Sequence, residues 1–265
     1  MRHLNCSLYK KIRIAPAIIY RRIMNFAYRA LSREKAVMTL EGVRIPFNNM
    51  FLKIEERIMI AKGRYMEFAS LALQNNLSPN DQVINIDCNF CYLSVIASKK
   101  LASQQQVFSY ESDHRYAKSV RSILEANSLA LSFKIKTLGA ETITQETIAY
   151  NDFWSEDSFQ SYSKNADDTK KIQIHSFEDE FELLDKKPNY LICNLNNINM
   201  TIFSSKCVDR LEKILIIANS VDLRMEQINS TISILLTRKW RIETWPGRVF
   251  YFYRESASEA KYYAS

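Results

Sequence analysis

Val83-Ile84-Asn85-Ile86-Asp87-Cys88-Asn89-Phe90-Cys91-Tyr92-Leu93-Ser94, together with Tyr110-Glu111-Ser112-Asp113 downstream, decides how the chain is read. An apolar run turns sharply at Asp87 to Cys91 into a helical pattern, and a second strand is predicted over Val107 to Tyr110, with Glu111 directly after it. That is the outline of a nucleotide-binding βαβ unit, in which a helix N-terminus faces the ligand and an acid about 20 residues on meets the ribose hydroxyls. Glycines normally line such a loop so that backbone can approach the ligand closely. Here Asp87, Cys88 and Cys91 stand in those places.

Outward from this unit, strand and helix patterns alternate. Ser78-Pro79-Asn80-Asp81 predicts a turn that launches the strand Gln82 to Asp87, and a helix follows from Phe90 to Leu101. The helix His114 to Asn127 then leads to a strand over Phe133 to Leu138, and a helix over Glu178 to Asp185 precedes the strand Tyr190 to Leu195. The end of the chain reads as strand Ile214 to Ala218, helix Arg224 to Leu236, strand Trp240 to Thr244, a Pro246-Gly247 turn and strand Arg248 to Tyr253. This alternation predicts a parallel sheet covered on both faces. Upstream, Val37 to Pro46 reads as a short β stretch turning at Glu41-Gly42, followed by helices over Phe51 to Ala61 and Tyr65 to Asn75. The polar segment Glu141 to Lys171 reads as a long loop or lid, with Phe153-Trp154 either covering a pocket or anchoring the loop.

With 265 residues and 47% hydrophobic content, the chain can bury a sizeable core, which excludes a disordered or collagen-like protein. It holds only four glycines, too few for a glycine-rich phosphate cradle. The net charge of +7 is concentrated at the N-terminus, where the first 33 residues carry eight Arg or Lys and no acid. Between residues 7 and 33, Leu8, Ile12, Ala15, Ile19, Ile23, Phe26 and Ala30 recur at helical spacing, with Pro16 marking a kink or restart. Two readings of this basic helix stay open: a peripheral rest on anionic membrane, or packing on its own domain or a protein partner. Five cysteines without a cleavable signal sequence suit reduced thiols in the cytoplasm, and no apolar run is long enough to span a bilayer.

Over roughly residues 60 to 254 the chain resembles the FkbM-type family of S-adenosylmethionine-dependent methyltransferases. The family's first strand and turn read approximately V-L-D-I-G-A-N-I-G-Y-x-S, which Val83 to Ser94 follows with the strand hydrophobics, Asn89, Tyr92 and Ser94 kept. An upstream Gly-x-Tyr-Glu element is similar to Gly63-Arg64-Tyr65-Met66-Glu67, and the helix after the acid ends in Glu125-Ala126-Asn127-Ser128-Leu129. The resemblance implies a Rossmann-like class I methyltransferase fold, mostly parallel with an antiparallel last strand, over residues 60–265, preceded by a basic helical extension over 1–59. It places Asp87 at the carboxyl edge of the sheet. It also implies that S-adenosylmethionine, if bound, meets Asp87, Cys88, Asn89, Cys91, Glu111 and Ala140, with Glu111 on the ribose.

The departures fall where chemistry is expected. Asp87 replaces the first glycine of the loop and Cys91 the last, which weakens or removes cofactor binding. At the fourth strand the family's D-x-E-G-x-E element becomes Asn194-Leu195-Asn196-Asn197-Ile198-Asn199, so that Asn194 and Asn196 stand at the catalytic acid positions without the ability to take a proton. Two functions follow: O-methyl transfer to a sugar or other small hydroxyl-bearing acceptor, or a catalytically inactive methyltransferase-like binding or scaffold protein. Cys88-Asn89-Phe90-Cys91 is formally C-x-x-C at a strand-to-helix turn, where a helix dipole lowers a thiol pKa, but the surroundings lack a compact thioredoxin-sized unit. Zinc-ligand spacing, a G-x-S-x-G nucleophile and nucleic-acid-reading motifs are all missing from the sequence.

Overall fold

Side chains alternate between the two faces of a sheet, and four strands show it directly. These are β3 (Val83–Ile86), β9 (Tyr190–Asn194), β10 (Lys213–Ile217) and β12 (Val249–Tyr253). Val83, Tyr190, Ile192, Leu215, Ile217, Val249 and Tyr251 enter one buried cluster, while Ile84, Ile86, Leu191, Cys193, Ile214, Ile216 and Phe252 enter the other. A strand apolar on both faces has to be covered on both, so helices lie on each side. The computed structural model describes residues 37–46, 51–52, 54–145, 172–196, 199–218 and 223–254. The basic segment 7–33 and Phe153-Trp154 lie outside the described residues.

Among the described residues, β4 (Val107–Glu111), β5 (Ser132–Ile135) and β11 (Arg241–Trp245) complete a seven-stranded sheet in the order β11-β12-β10-β9-β3-β4-β5. β12 runs antiparallel to both of its neighbours, and the pairs β10 with β9, β9 with β3, β3 with β4 and β4 with β5 are parallel. In chain order the strands lie third, second, first, fourth, fifth, seventh, sixth, with the last reversed. This is the Rossmann-like class I methyltransferase fold that the sequence predicted. Its topological switch point falls between β3 and β9, because the chain leaves β3 toward β4 and later returns on the other side.

One face is covered by α1 (Ile54–Ala61), α2 (Glu67–Asn76), α3 (Tyr92–Lys100) and α4 (Ala117–Ala126). The other is covered by α5 (Phe177–Glu182), two 3₁₀ runs at Asn199–Ser204 and Lys206–Arg210, and α6 (Met225–Thr237). For α2 and α3 the backbone explains why the helix starts later than the apolar pattern suggests. Met66 and Cys91, at the N-caps of α2 and α3, have φ of 50° and 64°, a left-handed conformation that cannot be continued as a right-handed helix.

The single strand predicted over Phe133 to Leu138 is two strands in different sheets. The N–H of Lys136 closes on Glu111 O at 2.9 Å, the last carbonyl of β4, and the chain then departs as β6 (Thr137–Gly139). β6 joins β8 (Ile172–Ser176) and β7 (Ile143–Gln145) in a three-stranded sheet, so the loop predicted from Glu141 onward begins with a strand. Short strands flanked by polar residues show little periodicity, which hid both β7 and β8.

β1 (Val37–Leu40) and β2 (Val43–Pro46) pair across Glu41-Gly42, both at positive φ as a tight hairpin turn requires. Leu40, Val43 and Ile45 enter the same buried cluster as α2 and α3. Asn127 ties this hairpin to the end of α4: its Oδ1 accepts from Arg44 N at 3.0 Å, and its Nδ2 donates to Arg44 O at 2.8 Å. Asn127→Ala is expected to lower stability by about 1–2 kcal/mol and to speed exchange of the Arg44 amide. Urea denaturation and hydrogen exchange check this, and an unchanged midpoint with unchanged exchange shows the bridge to be incidental.

Candidate functional site

The turn after β3 keeps a glycine-like backbone without glycines. Asp87, Asn89 and Cys91 have φ of 52°, 52° and 64°, alternating along the loop at the places where the family pattern reads Gly, Asn and Gly. Non-glycine residues in this region cost roughly 1–2 kcal/mol each, least for Asn and Asp. The packing around the loop compensates. Cys88 N continues the β3–β4 ladder by donating to Tyr110 O at 3.1 Å, and Cys91 N closes the turn on Cys88 O at 2.8 Å. The Asn89 side chain hydrogen-bonds the hydroxyl of buried Tyr65, whose ring lies 5.0 Å from that of Phe90. Beneath α3 a polar seam runs from Asn85 Nδ2 to Ser94 Oγ (2.8 Å) and on to Ser109 Oγ (2.9 Å).

Asp87 stands at the carboxyl edge of β3, as predicted, and its carboxylate spans the switch point. Oδ1 accepts from Ser112 Oγ at 2.6 Å and from Ser112 N at 3.2 Å, in the segment after β4. On the other side, Oδ2 accepts from Asn199 Nδ2 at 2.7 Å and from Asn196 Nδ2. Asn194, the last residue of β9, donates from Nδ2 to Asp87 O at 2.5 Å. Asn196 and Asn199 lock one another, each backbone N–H donating to the other's side-chain oxygen at 2.8 and 2.9 Å. Burial raises the Asp87 carboxyl above its ordinary value, and the donors from Ser112, Asn199 and Asn196 pull it back.

Glu111 lies alongside, only 2% exposed. Its Oε1 accepts from Asp113 N at 2.9 Å, while Oε2 is buried and has no hydrogen-bond partner. Burial, and then the negative charge of Asp87, pushes this carboxyl well above the usual carboxylate range. Cys88 and Cys91 are buried with their Sγ atoms 3.2 Å apart. Burial, followed by the neighbouring Cys91 sulfur, pushes the Cys88 thiol well up, opposite to the lowering that a helix N-terminus produces on an accessible thiol. Ala140, just past β6, is linked to the 3₁₀ run by its N–H to Thr201 Oγ1 at 3.0 Å.

Thus Asp87, Glu111, Asn194 and Asn196 come together at the switch point, with Cys88, Asn89 and Cys91 forming the turn beside them. Ser112 and Asn199, which the sequence did not single out as site residues, complete the bridge. Their signal was faint: a serine directly after Glu111, and the last asparagine of an asparagine-rich run. No rule of spacing links Asn199 to a carboxylate 112 residues away.

Ligands of open α/β sheets sit in the crevice at the switch point, outside the carboxyl ends of the strands. The residues present fit S-adenosylmethionine in one half of that crevice, where a buried carboxylate oxygen lacks a donor. They do not fit it in the other, where the chain's own Asp87 carboxylate holds the amide and hydroxyl donors. Among the described residues, no helix is long and apolar enough to cross a membrane.

Strand order and switch-point crevice define the class as a protein with the class I methyltransferase fold. No family model and no curated protein matches the chain. Solved structures similar to it include a methyltransferase from Pyrococcus furiosus, with 10% identity, 89% of this chain and 99% of that chain covered, and a TM-score of 0.48. A ribosomal protein L11 methylase from Lactobacillus delbrueckii subsp. bulgaricus is similar at 10% identity, covering 79% and 82% of the two chains, with a TM-score of 0.48. A SAM dependent methyltransferase from Aquifex aeolicus is similar at 9% identity over 77% and 97%, with a TM-score of 0.45.

Proposed function

We propose that this chain is a degenerate methyltransferase of the FkbM type, which keeps the fold, has lost O-methyl transfer, and acts as a binding or scaffold module. The observation that carries this reading is the Asp87 carboxylate held by Ser112, Asn196 and Asn199 across the switch point. Transfer of a methyl group to a hydroxyl needs a cofactor in the crevice and a group that takes the hydroxyl proton. An amide cannot take that proton, and the amides of Asn194 and Asn196 both donate to Asp87.

A second reading, a working O-methyltransferase on a sugar or other small hydroxyl acceptor, is supported by two observations. The loop backbone is that of a cofactor turn, and Glu111 Oε2 is free to accept from a ribose hydroxyl. Calorimetric titration with S-adenosylmethionine separates the two. Loss of function predicts binding no tighter than about 1 mM, which is roughly 4 kcal/mol of affinity. Micromolar binding that disappears in Glu111→Ala would overturn it.

A further inference from the structure

Cys88 and Cys91 are the ends of a tight turn. The hydrogen bond from Cys91 N to Cys88 O encloses Asn89 and Phe90, and such a turn holds its terminal Cα atoms within about 7 Å. A disulfide bridges Cα atoms up to about 6.8 Å apart, with sulfurs about 2.0 Å from one another. The two Sγ atoms already face each other at 3.2 Å, so closing the bond takes a shared movement of about 1 Å. Cys193 and Cys207 are packed in the cluster on the opposite face of the sheet. Neither sulfur of the turn is used by the function proposed above.

We propose that Cys88 and Cys91 form a redox-modifiable dithiol, which a small disulfide of the glutathione class converts into a disulfide within the turn. One cysteine thiolate attacks the oxidant, forming a mixed disulfide and expelling one glutathione thiolate. The second thiolate attacks the protein-side sulfur, forming the Cys88–Cys91 bond and expelling the second glutathione thiolate. Both thiol protons end on the two departing glutathiones, and the protein's two electrons reduce the oxidant. Because the attacking species is the thiolate and burial raises the Cys88 thiol, native-state reaction is slow at neutral pH and quickens with rising pH. The bond would fix the turn that separates Asp87 from α3.

The test uses the full chain in two forms: native protein, and protein refolded from urea so that both thiols are open to the oxidant during folding. Each is equilibrated in glutathione buffers of increasing oxidised fraction, alkylated, and mapped by peptide mass. The expected product is a peptide containing Cys88 and Cys91 that is lighter by two hydrogens and unalkylated. It should be absent in Cys88→Ser and Cys91→Ser, and in native protein it should form about tenfold faster per unit of pH. Refolded protein that lacks this bond, retains glutathione on one cysteine, or pairs Cys88 or Cys91 with Cys6, Cys193 or Cys207 instead would overturn the proposal.

Discussion

Asp87→Ala should destabilise the protein by about 3 kcal/mol, and Asp87→Gly by roughly 1 kcal/mol less. Alanine removes the acceptor of four donors: Ser112 N, Ser112 Oγ, Asn196 Nδ2 and Asn199 Nδ2. Hydrogen bonds to a charged group contribute about 1.5–3 kcal/mol each, offset here by no longer having to bury a carboxylate. Glycine loses the same bonds but relieves the left-handed backbone at φ 52°. Urea denaturation with a shared m-value measures both differences, and a neutral alanine variant would show that the bridge holds nothing together. Glycine also clears the crevice, so S-adenosylmethionine should bind Asp87→Gly at least about tenfold more tightly than it binds the unaltered protein, a gain of about 1.4 kcal/mol. Equal affinity would mean that Asp87 is not what closes the site.

Glu111→Gln should stabilise the protein at neutral pH, by an amount on the order of 1–3 kcal/mol, and flatten its pH dependence. The folded-state pKa of Glu111 is raised, by burial first and by Asp87 second. Between the unfolded value of about 4.3 and the higher folded value, the folded protein therefore binds more protons than the unfolded one. This contribution is fully present below the unfolded pKa and is lost as pH rises through the folded pKa. Glutamine keeps an oxygen for the Asp113 N–H and carries no charge, so the variant should match the parent near pH 4 and exceed it progressively above. Glu180 and Asp209, whose carboxyls are lowered, contribute the opposite slope to both proteins and cancel in the difference. Urea midpoints at three pH values across this range provide the measurement. Parallel curves for parent and variant would show that Glu111 is not the group responsible.

The fold was legible in sequence wherever one element dictates its own pattern. β9 and β10 are near-continuous apolar runs, and β3 is one apart from Asn85, because both of their faces are buried, and the Pro246-Gly247 turn between two β-patterned segments announced the reversed last strand. The loop was legible in part: Asp87 and Cys91, read in glycine places, have left-handed backbone, whereas Cys88, read in the same way, does not, and Asn89 does. Some boundaries were not. Nothing local in Phe133 to Leu138 indicates that β4 ends at Glu111, yet that ending sends Thr137 into another sheet.

The sequence by itself singled out, through its resemblance to a family pattern, Asp87 and Cys91 at glycine positions and Asn194 and Asn196 at acid positions. Only the tertiary structure decided what they do there. The Asp87 carboxylate is met by Ser112 from one neighbouring strand's end and by Asn196 and Asn199 from the other's, Glu111 is left with one buried oxygen without a donor, and Cys88 and Cys91 are turned sulfur to sulfur. The reason is physical. Strand and turn propensities act over a few residues and are written in the local pattern. Desolvation, charge repulsion and hydrogen-bond partnership depend on which distant segments the sheet order brings together.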